Sequence, residues 1–207
     1  MGIGWTVVKL LVAYEGGMTI RENAERHKYY NQARQYADSV GKPLLVVGMK
    51  RFFWQPPNGD ITVDIDPEVQ NIPGGVWSDE REMPFEDKTF GAVYNAHTLE
   101  HLPTVEDVEI AVNECLRIAD IGVFLAPSPY SMIANMFCPA HHLRLWFDQT
   151  NNRIRVTDNR WRTGIGIQSG DTSHQPPTVV EQSLVTGEVP EIIEIGKNGS
   201  AYFLRRW

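Results

Sequence analysis

Polar side chains that can bind a nucleoside or move a proton stand at the ends of several short apolar runs. Carboxylates accept hydrogen bonds from ribose hydroxyls and exocyclic amines, and a neutral imidazole can act as a general base. In chain order, these candidate positions are Gly48, Asp64, Asp66, Asp79, Asn95, His97, Glu100, His101, Ser128 and Tyr130. Their recurrence after successive runs predicts a binding crevice rather than scattered turn residues.

The apolar runs have the length and composition of buried strands. Leu44–Gly48 is wholly apolar, which is typical of a strand covered on both faces in a parallel sheet. Further strands are predicted at Ile61–Ile65, Gly74–Ser78, Phe90–Ala96 and Ile121–Ala126. Strands that alternate with connections favour a mostly parallel α/β sheet with helices on both faces. Ligands of such sheets bind beyond the carboxyl ends of the strands, where the polar residues stand.

Two helices are predicted from spacing and caps. Thr19–Val40 carries apolar residues three and four apart; Thr19 and Glu22 stand in capping-box positions, and Gly41 marks its end. Val105–Ala119 has a similar stripe, with Thr104 as its cap and Asp107 in place of the usual Glu.

The C-terminal third has a different pattern. Arg153–Arg162 alternates polar and apolar residues, and Gly164–Pro177 has the composition of an exposed loop. Pro190–Ile195 and Ala201–Trp207 flank the turn residues 196–199 and predict a β-hairpin. We therefore predict an N-terminal helical segment (1–42), an α/β core (43–150) and a β-ribbon and hairpin extension (151–207) that completes the same domain.

Composition excludes several partners. The net charge of −7 repels phosphate backbones, so no nucleic acid partner is predicted, and Arg153, Arg155, Arg160 and Arg162 are interpreted as a solvated ribbon face. Two cysteines are too few for a zinc module and suit a reduced, cytoplasmic protein.

The apolar run Ile3–Tyr14 is too short for a membrane span, which needs about 20 residues. A packed helix is the favoured interpretation, and a helix that lies on a membrane or on a partner protein is the alternative.

Two segments resemble the class I S-adenosylmethionine (SAM)-dependent methyltransferases. Ser78–Val93 is similar to the stretch from the third to the fourth strand of that family, with an acidic residue before a Pro-Phe pair. Asn95–Leu102 is similar to the end of the fourth strand in the small-molecule, type 11-like branch. The resemblance spans about Pro43–Pro129 and implies a Rossmann-like fold.

The resemblance also implies a cofactor and roles for the candidate residues. SAM would be bound by Gly48, Asp64, Asp79, Glu80 and Asn95, with Asp64 on the ribose hydroxyls and Asp79 and the Glu80 N–H on the adenine. Asp66 would replace Asp64 after a one-step change in register. The acceptor would be a small molecule served by His97 or His101, and its side of the site would include Tyr130, His141, His142 and Trp146.

The start of the resemblance departs from the family pattern. Only Gly48 remains of the glycine-rich loop, and Gly48 and Asp64 are 16 residues apart, against about 20 for a full crossover. Pro56 and Pro57 indicate that the crossover helix is reduced or absent. The aromatic residues 52–54 are predicted to fill the vacated space. Alternatively they stack on a base, or Lys50 and Arg51 contact an anionic ligand.

Two further hypotheses follow from this departure. The chain is either a methyltransferase or a non-catalytic module of the same fold that has lost SAM binding, and a nucleotide-sugar or other nucleoside-binding enzyme is a weaker third option. His97, Glu100, His101 and His141 offer metal-ligating atoms, but their spacing is not diagnostic and no metal is predicted. Glu100 and His101 are predicted instead to cap or orient the helix that follows.

Overall fold

The structure is a computed structural model that describes residues 2–128, 130–134, 138–148, 153–158, 182–183, 191–195 and 201–205. Its first part contains helix α1 (Gly2–Val40), strands β1 (Leu44–Val47), β2 (Ile61–Asp64), β3 (Gly75–Trp77) and β4 (Phe90–Ala96), helix α2 (Val105–Ile118) and strand β5 (Ala119–Leu125). The strands that follow are β6 (Leu143–Asp148), β7 (Arg153–Asp158), β8 (Gln182–Ser183), β9 (Glu191–Ile195) and β10 (Ala201–Arg205).

The main sheet has the order β3-β2-β1-β4-β5-β10-β9. Its first five strands are parallel, and β10 pairs antiparallel with both β5 and β9. The predicted α/β fold and the C-terminal hairpin are therefore confirmed. Strands β6, β7 and β8 form a second, antiparallel sheet.

Helices cover both faces of the parallel sheet, as predicted. Alternate residues of a strand point to opposite faces, so Leu44 and Val46 belong to one core cluster and Leu45 and Val47 to the other. The first cluster includes Tyr29, Ala33 and Ala37 of α1, and the second includes Val108, Val112 and Cys115 of α2. The wholly apolar composition of β1 follows from this burial on both sides.

Helix α1 is longer than the sequence predicted. It runs unbroken over 39 residues, and Thr19 lies in its interior, where its hydroxyl donates to the carbonyl oxygen of Glu15. The predicted capping box at Thr19 is therefore wrong, because Gly16 and Gly17 weaken a helix without ending it. Gly41, in the left-handed region with φ 66°, ends it as expected.

The apolar start of α1 does not pack against the rest of the described chain. Trp5 is 70% exposed and Leu10 is 66% exposed, and most large apolar side chains from Trp5 to Tyr14 are exposed with them. The prediction of a packed helix is wrong here, and contact with a partner or a membrane surface stays a prediction. Within the described ranges no helix combines the length and apolar character of a membrane span.

The connection from β1 to β2 is reduced, as the prolines and the spacing predicted, and the connection from β2 to β3 is reduced as well. Residues 48–60 connect β1 to β2 without a helix, and only a 3₁₀ helix at Pro67–Asn71 lies between β2 and β3. Contacts to α1 hold the first connection: Arg34 Nη2 donates to Asp60 Oδ2 at 2.7 Å, and the Tyr30 hydroxyl donates to the Asn58 carbonyl oxygen at 3.2 Å.

The aromatic residues of that connection do not fill the space of the missing helix, so this prediction is wrong. Phe53 is 86% exposed, and Phe52 and Trp54 stack on each other with ring centroids 4.7 Å apart. The connection is held to α1 by a further hydrogen bond, in which His27 Nε2 donates to the Trp54 carbonyl oxygen at 2.8 Å.

The remaining predictions divide between confirmed and untested. Thr104 and Asp107 form the predicted capping box of α2, and Arg153–Asp158 is a strand. The predicted loop at 164–177, the turn at 196–199, Arg160 and Arg162 lie outside the described residues. The three-part division of the chain stays a prediction.

Candidate functional site

A cavity of about 580 Å³ lies at the carboxyl ends of β1, β2 and β4. This size is within the range of small-molecule sites. The predicted residues in its wall are Gly48, Asp64, Asp79, Glu80, His97 and His101. Of the other predicted site residues that the structure describes, Asp66, Asn95, Tyr130, His141 and His142 are not part of the wall. The side chain of Trp146 lies outside the described part of the chain.

Gly48 begins the cavity wall after β1. Its φ of 85° is in the left-handed region, and its N–H donates to the Val63 carbonyl oxygen at 2.8 Å. A Cβ at this position would lie 3.0 Å from the Thr98 methyl group, so a larger residue would crowd the wall. The one glycine that matches the family loop thus stands where the backbone turns sharply and packs closely.

Asp64 holds the turn after β1 through its carboxylate. Oδ2 accepts from the Met49 N–H and Oδ1 from the Asp66 N–H, both at 2.8 Å. Arg51 Nη2 lies 3.7 Å from the same Oδ2. This carboxylate therefore orders the shortened loop in addition to facing the cavity.

Asp66 serves the next turn. It caps the 3₁₀ helix at Pro67–Asn71 by accepting from the Glu68 N–H, and Arg51 Nη2 donates to it at 3.0 Å. The Glu68 N–H and the Arg51 guanidinium lower the pKa of Asp66. The structure thus gives Asp66 a capping role outside the cavity wall.

Asp79 is paired with Arg81, which connects the loop after β3 to α2. Arg81 Nε and Nη2 donate to the two Asp79 oxygens at 2.9 and 2.6 Å, and Nη1 donates to Asp107 at 2.6 Å. The Arg81 guanidinium lowers the pKa of Asp79, so Asp79 is ionised at neutral pH. Bidentate pairing fixes this carboxylate in the cavity wall.

Glu80 belongs to a hydrogen-bonded group with Asn95 and Thr98. Asn95 is fully buried and its Nδ2 donates to Glu80 Oε2 at 2.6 Å, while Thr98 Oγ1 lies 3.1 Å from the same oxygen. Thr98 Oγ1 also contacts Asn95 Oδ1. The Thr98 hydroxyl has one proton. If it donates that proton to Asn95 Oδ1, its contact with Glu80 Oε2 is a hydrogen bond only when Glu80 is protonated and donates to it. Burial raises the pKa of Glu80 to about 7, in agreement with this pattern.

Arg26 is a residue of the cavity wall that the sequence interpretation missed. It projects from α1, and its Nε is buried without a hydrogen-bond partner among the described residues. Its position three residues before the buried Tyr29, on the helix face that packs on the sheet, is the signal that could have identified it.

His97 turns the chain at the end of β4. It has a φ of 60°, which is uncommon for a residue with a side chain, and its N–H donates to the Leu125 carbonyl oxygen at 2.8 Å. Burial lowers the pKa of His97 well below its usual value, so the imidazole is neutral at pH 7. A neutral imidazole in a cavity wall can accept a proton.

Glu100 and His101 do not cap α2, so the prediction of a cap is wrong, and an orienting role stays a prediction. Thr104 and Asp107 satisfy its first N–H groups. Glu100 is 1% exposed, and burial raises its pKa to about 8. The His101 Nδ1 hydrogen bonds to the Ala140 carbonyl oxygen at 2.8 Å, and burial lowers the pKa of His101.

The residues predicted for the acceptor side are dispersed. Tyr130 is 68% exposed, and its carbonyl oxygen accepts from the Tyr14 hydroxyl at 3.1 Å. His141 lies beside His101, with ring centroids 4.8 Å apart. His142 is half-buried and precedes β6, the strand that contains Trp146. Of the three acceptor-side residues whose side chains the structure describes, Tyr130, His141 and His142, it is His141 that contacts a residue of the cavity wall.

Comparison with known proteins identifies a family for part of the chain. Residues 61–126 match the family model described as a methyltransferase domain, and the predicted resemblance to class I SAM-dependent methyltransferases is confirmed over this segment. The match begins at β2, after the reduced loop that follows β1. No curated protein matches the chain.

Several solved structures are similar to the chain at low identity. The N-methyltransferase NodS from Bradyrhizobium japonicum WM9, in complex with S-adenosyl-L-homocysteine, is 14% identical over 88% of this chain and 85% of its own, with a TM-score of 0.40. A candidate methyltransferase from Bacillus halodurans C-125 is 16% identical over 51% of this chain, with a TM-score of 0.32. The chain covers 50% of the length of the Bacillus protein.

Proposed function

We propose that this chain binds SAM in the 580 Å³ cavity and transfers a methyl group to a small-molecule acceptor. The observation that carries the proposal is that one cavity combines the Arg26 guanidinium with the carboxylates of Asp64 and Asp79. A cation suits the amino-acid carboxylate of the cofactor, and carboxylates suit its ribose hydroxyls and adenine amine.

The carboxylates have acceptor capacity left for a ligand. A carboxylate offers about four lone-pair sites. Asp64 uses one site on each oxygen for the N–H groups of Met49 and Asp66, so two sites remain for the two ribose hydroxyls. Asp79 accepts two bonds on Oδ1 and one on Oδ2, all from Arg81, which leaves a site for the adenine amine.

Arg26 supports the proposal because its buried Nε has no partner in the described part of the chain. Arg26 Nη2 has an acceptor in the Ala96 carbonyl oxygen at 3.5 Å. A buried Nε–H without a partner is costly, and an anionic group in the cavity would satisfy it. Arg26 would thereby compensate for the glycine-rich loop, which is reduced to Gly48.

On the acceptor side, His97 would accept a proton from the acceptor. Bound SAM supplies a methyl group activated by its sulfonium. The chain orients the reacting groups, excludes water and, for an acceptor that carries a proton, removes it through the neutral His97 imidazole. We propose a cytoplasmic location, as the cysteine usage suggests.

A non-catalytic module that has lost SAM binding is the second candidate. The contacts of Asp64 with Met49 and Asp66 favour it, because they order the loop without any ligand. Calorimetric titration of the full chain with S-adenosylhomocysteine separates the two candidates. No binding at millimolar ligand would exclude the methyltransferase.

We expect Asp64→Ala to weaken S-adenosylhomocysteine binding by about 1–3 kcal/mol, because the ribose hydroxyls lose their buried acceptor. Asp66→Ala is the matched variant for the alternative register, and it should bind with nearly wild-type affinity, since Asp66 lies outside the cavity wall. Calorimetry measures both affinities. If Asp66→Ala bound S-adenosylhomocysteine more weakly than Asp64→Ala, Asp66 would be the residue that binds the ribose.

Arg26→Met should weaken S-adenosylhomocysteine binding by about 10- to 100-fold, the usual range for a hydrogen bond to a charged group. Binding of 5′-methylthioadenosine, which lacks the amino-acid carboxylate, should change little. Arg21→Met, which removes an exposed arginine of the same helix, is the control. An equal loss for both ligands would show that Arg26 supports the fold rather than the carboxylate.

A further inference from the structure

Glu100, His101 and His141 form a side-chain cluster beside the cavity, here called the Glu100 cluster. One ligand atom from each residue lies within 4.8 Å of the other two. His141 Nε2 is 3.9 Å from Glu100 Oε1. Leu99–His101 is a short 3₁₀ helix after β4, whereas His141 lies two residues before β6, so the cluster joins two distant parts of the chain.

Glu100 is the unusual member of this cluster. It is 1% exposed, and neither of its carboxyl oxygens has a hydrogen-bond partner among the described residues. Buried carboxyl groups are almost always hydrogen-bonded, since their desolvation is otherwise uncompensated. Two imidazole nitrogens lie near this carboxyl: His97 Nδ1 is 3.7 Å and His141 Nε2 is 3.9 Å from Glu100 Oε1. A buried carboxyl without a hydrogen-bond partner in this position has lone pairs to offer to a bound cation.

The two histidines are oriented as metal ligands usually are. His101 Nδ1 hydrogen bonds to the Ala140 carbonyl oxygen at 2.8 Å, and His141 Nδ1 to that of Ala134 at 2.9 Å. A carbonyl only accepts, so Nδ1 carries the proton in both rings and Nε2 carries the lone pair. A backbone carbonyl on the distal nitrogen is the common second-sphere partner of a metal-binding histidine.

We propose that the Glu100 cluster binds a divalent metal ion, with Glu100, His101 and the Nε2 atom of His141 as its protein ligands. Two imidazoles and one carboxylate suit Zn²⁺, and sites with three protein ligands keep a fourth position for water or another ligand. His101 is exposed and lines the cavity, which gives the ion a path of entry and places the open position near the proposed methyl acceptor.

Zinc ligand atoms in a tetrahedral site lie about 3.3 Å apart, as bond lengths near 2.0–2.1 Å require. The 3.9 Å between Glu100 and His141 is slightly longer. The three ligand atoms lie within 4.8 Å of one another, so movements of up to about 1.5 Å would bring them to tetrahedral spacing around an ion. The alternative is that Glu100 is protonated and donates a hydrogen bond to a histidine, without any metal.

Metal titration of the full chain tests this site without nucleoside or acceptor, so its result is independent of the proposed methyltransferase function. The protein is stripped with a chelator and titrated with Co²⁺, whose visible absorption reports tetrahedral coordination, and Zn²⁺ is then added in competition. We expect one Co²⁺ per chain, displaced by Zn²⁺. Glu100→Gln and His141→Ala should each weaken binding by more than about tenfold.

His142→Ala is the matched control, since it removes a neighbouring histidine that is not part of the cluster. Circular dichroism of each variant verifies the fold, and Glu100→Gln keeps the size of the side chain. The proposal is overturned if the wild-type chain binds neither ion at 100-fold molar excess. Equal losses for His142→Ala and His141→Ala, or none for Glu100→Gln, would also overturn it.

Discussion

Glu80→Gln is expected to remove a pH-dependent part of the folding stability of this protein. In the folded chain burial raises the pKa of Glu80 to about 7, against 4.5 for the exposed group. Between these values the folded state keeps a proton that the unfolded state releases, so stability falls as pH rises through this window. The shift corresponds to about 3 kcal/mol of stability, which is fully present below pH 4.5 and lost above pH 7.

Urea unfolding of both proteins from pH 4.5 to pH 8 measures this effect. The wild-type chain should lose stability relative to Glu80→Gln across the window, because glutamine stays neutral. Titration of the other groups is shared by the two proteins and cancels in the difference. Glu82→Gln, which removes an exposed glutamate two residues away, is the control for the loss of one charge. A constant stability difference between wild type and Glu80→Gln would contradict the assignment.

The parallel core could be predicted because burial on both faces leaves a strong local signal. Neither β1 nor β4 has a face that is exposed to solvent, so their residues are apolar throughout or nearly so. The cap of α2 was equally local, since Thr104 and Asp107 are three residues apart. Such signals need no knowledge of the rest of the chain.

The start of α1 could not be predicted from the same signals. Gly16 and Gly17 lower helix propensity, and Thr19 has the residue type of a cap. Whether a helix continues through them depends on its neighbours, and Glu15 supplies one such anchor by accepting from the Met132 N–H at 2.7 Å. That contact joins residues 117 positions apart, which a local pattern does not contain.

The residues of the candidate site likewise include some that could be predicted from local sequence and others that could not. Gly48, Asp64, Asp79 and His97 could be placed in the cavity because each follows a strand, and the ends of parallel strands meet at one edge. Arg26 and His141 come from outside the strand ends, so their positions depend on how α1 and the segment before β6 pack. Arg51 contacts Asp66 as well as Asp64, and this contact likewise could not be predicted because it depends on the conformation of the shortened loop.

Buried ionisable groups are concentrated after the carboxyl ends of β3 and β4. Glu80 and Glu100 both have raised pKa values and His97 a lowered one, in each case mainly because of burial. Burial without compensation lowers stability, so a fold that only had to be stable would not favour this arrangement. This concentration is a physical reason to favour a ligand-binding role over a purely structural one.

Gly91→Val is expected to destabilise the fold by about 3 kcal/mol, the upper part of the range for overpacked cores. Gly91 lies in β4 beneath α1, and a Cβ there would be 2.7 Å from Ala37 Cα and 2.9 Å from a Val40 methyl group. The nearest atom belongs to the helix backbone, so no side-chain rotation relieves the contact and α1 must move. Urea unfolding measures the loss.

Gly17→Ala is the control, because no atom lies within 4 Å of the added methyl group. It should leave stability unchanged or raise it by about 0.5–1 kcal/mol, as expected for an exposed position in a helix. Because α1 also positions Arg26, Gly91→Val should weaken S-adenosylhomocysteine binding even at temperatures where the variant is folded, whereas 5′-methylthioadenosine should lose less affinity. Unchanged stability of Gly91→Val would show that α1 can shift on the sheet without a loss of stability. In that case the close packing of Ala37 on β4 would not determine the position of Arg26.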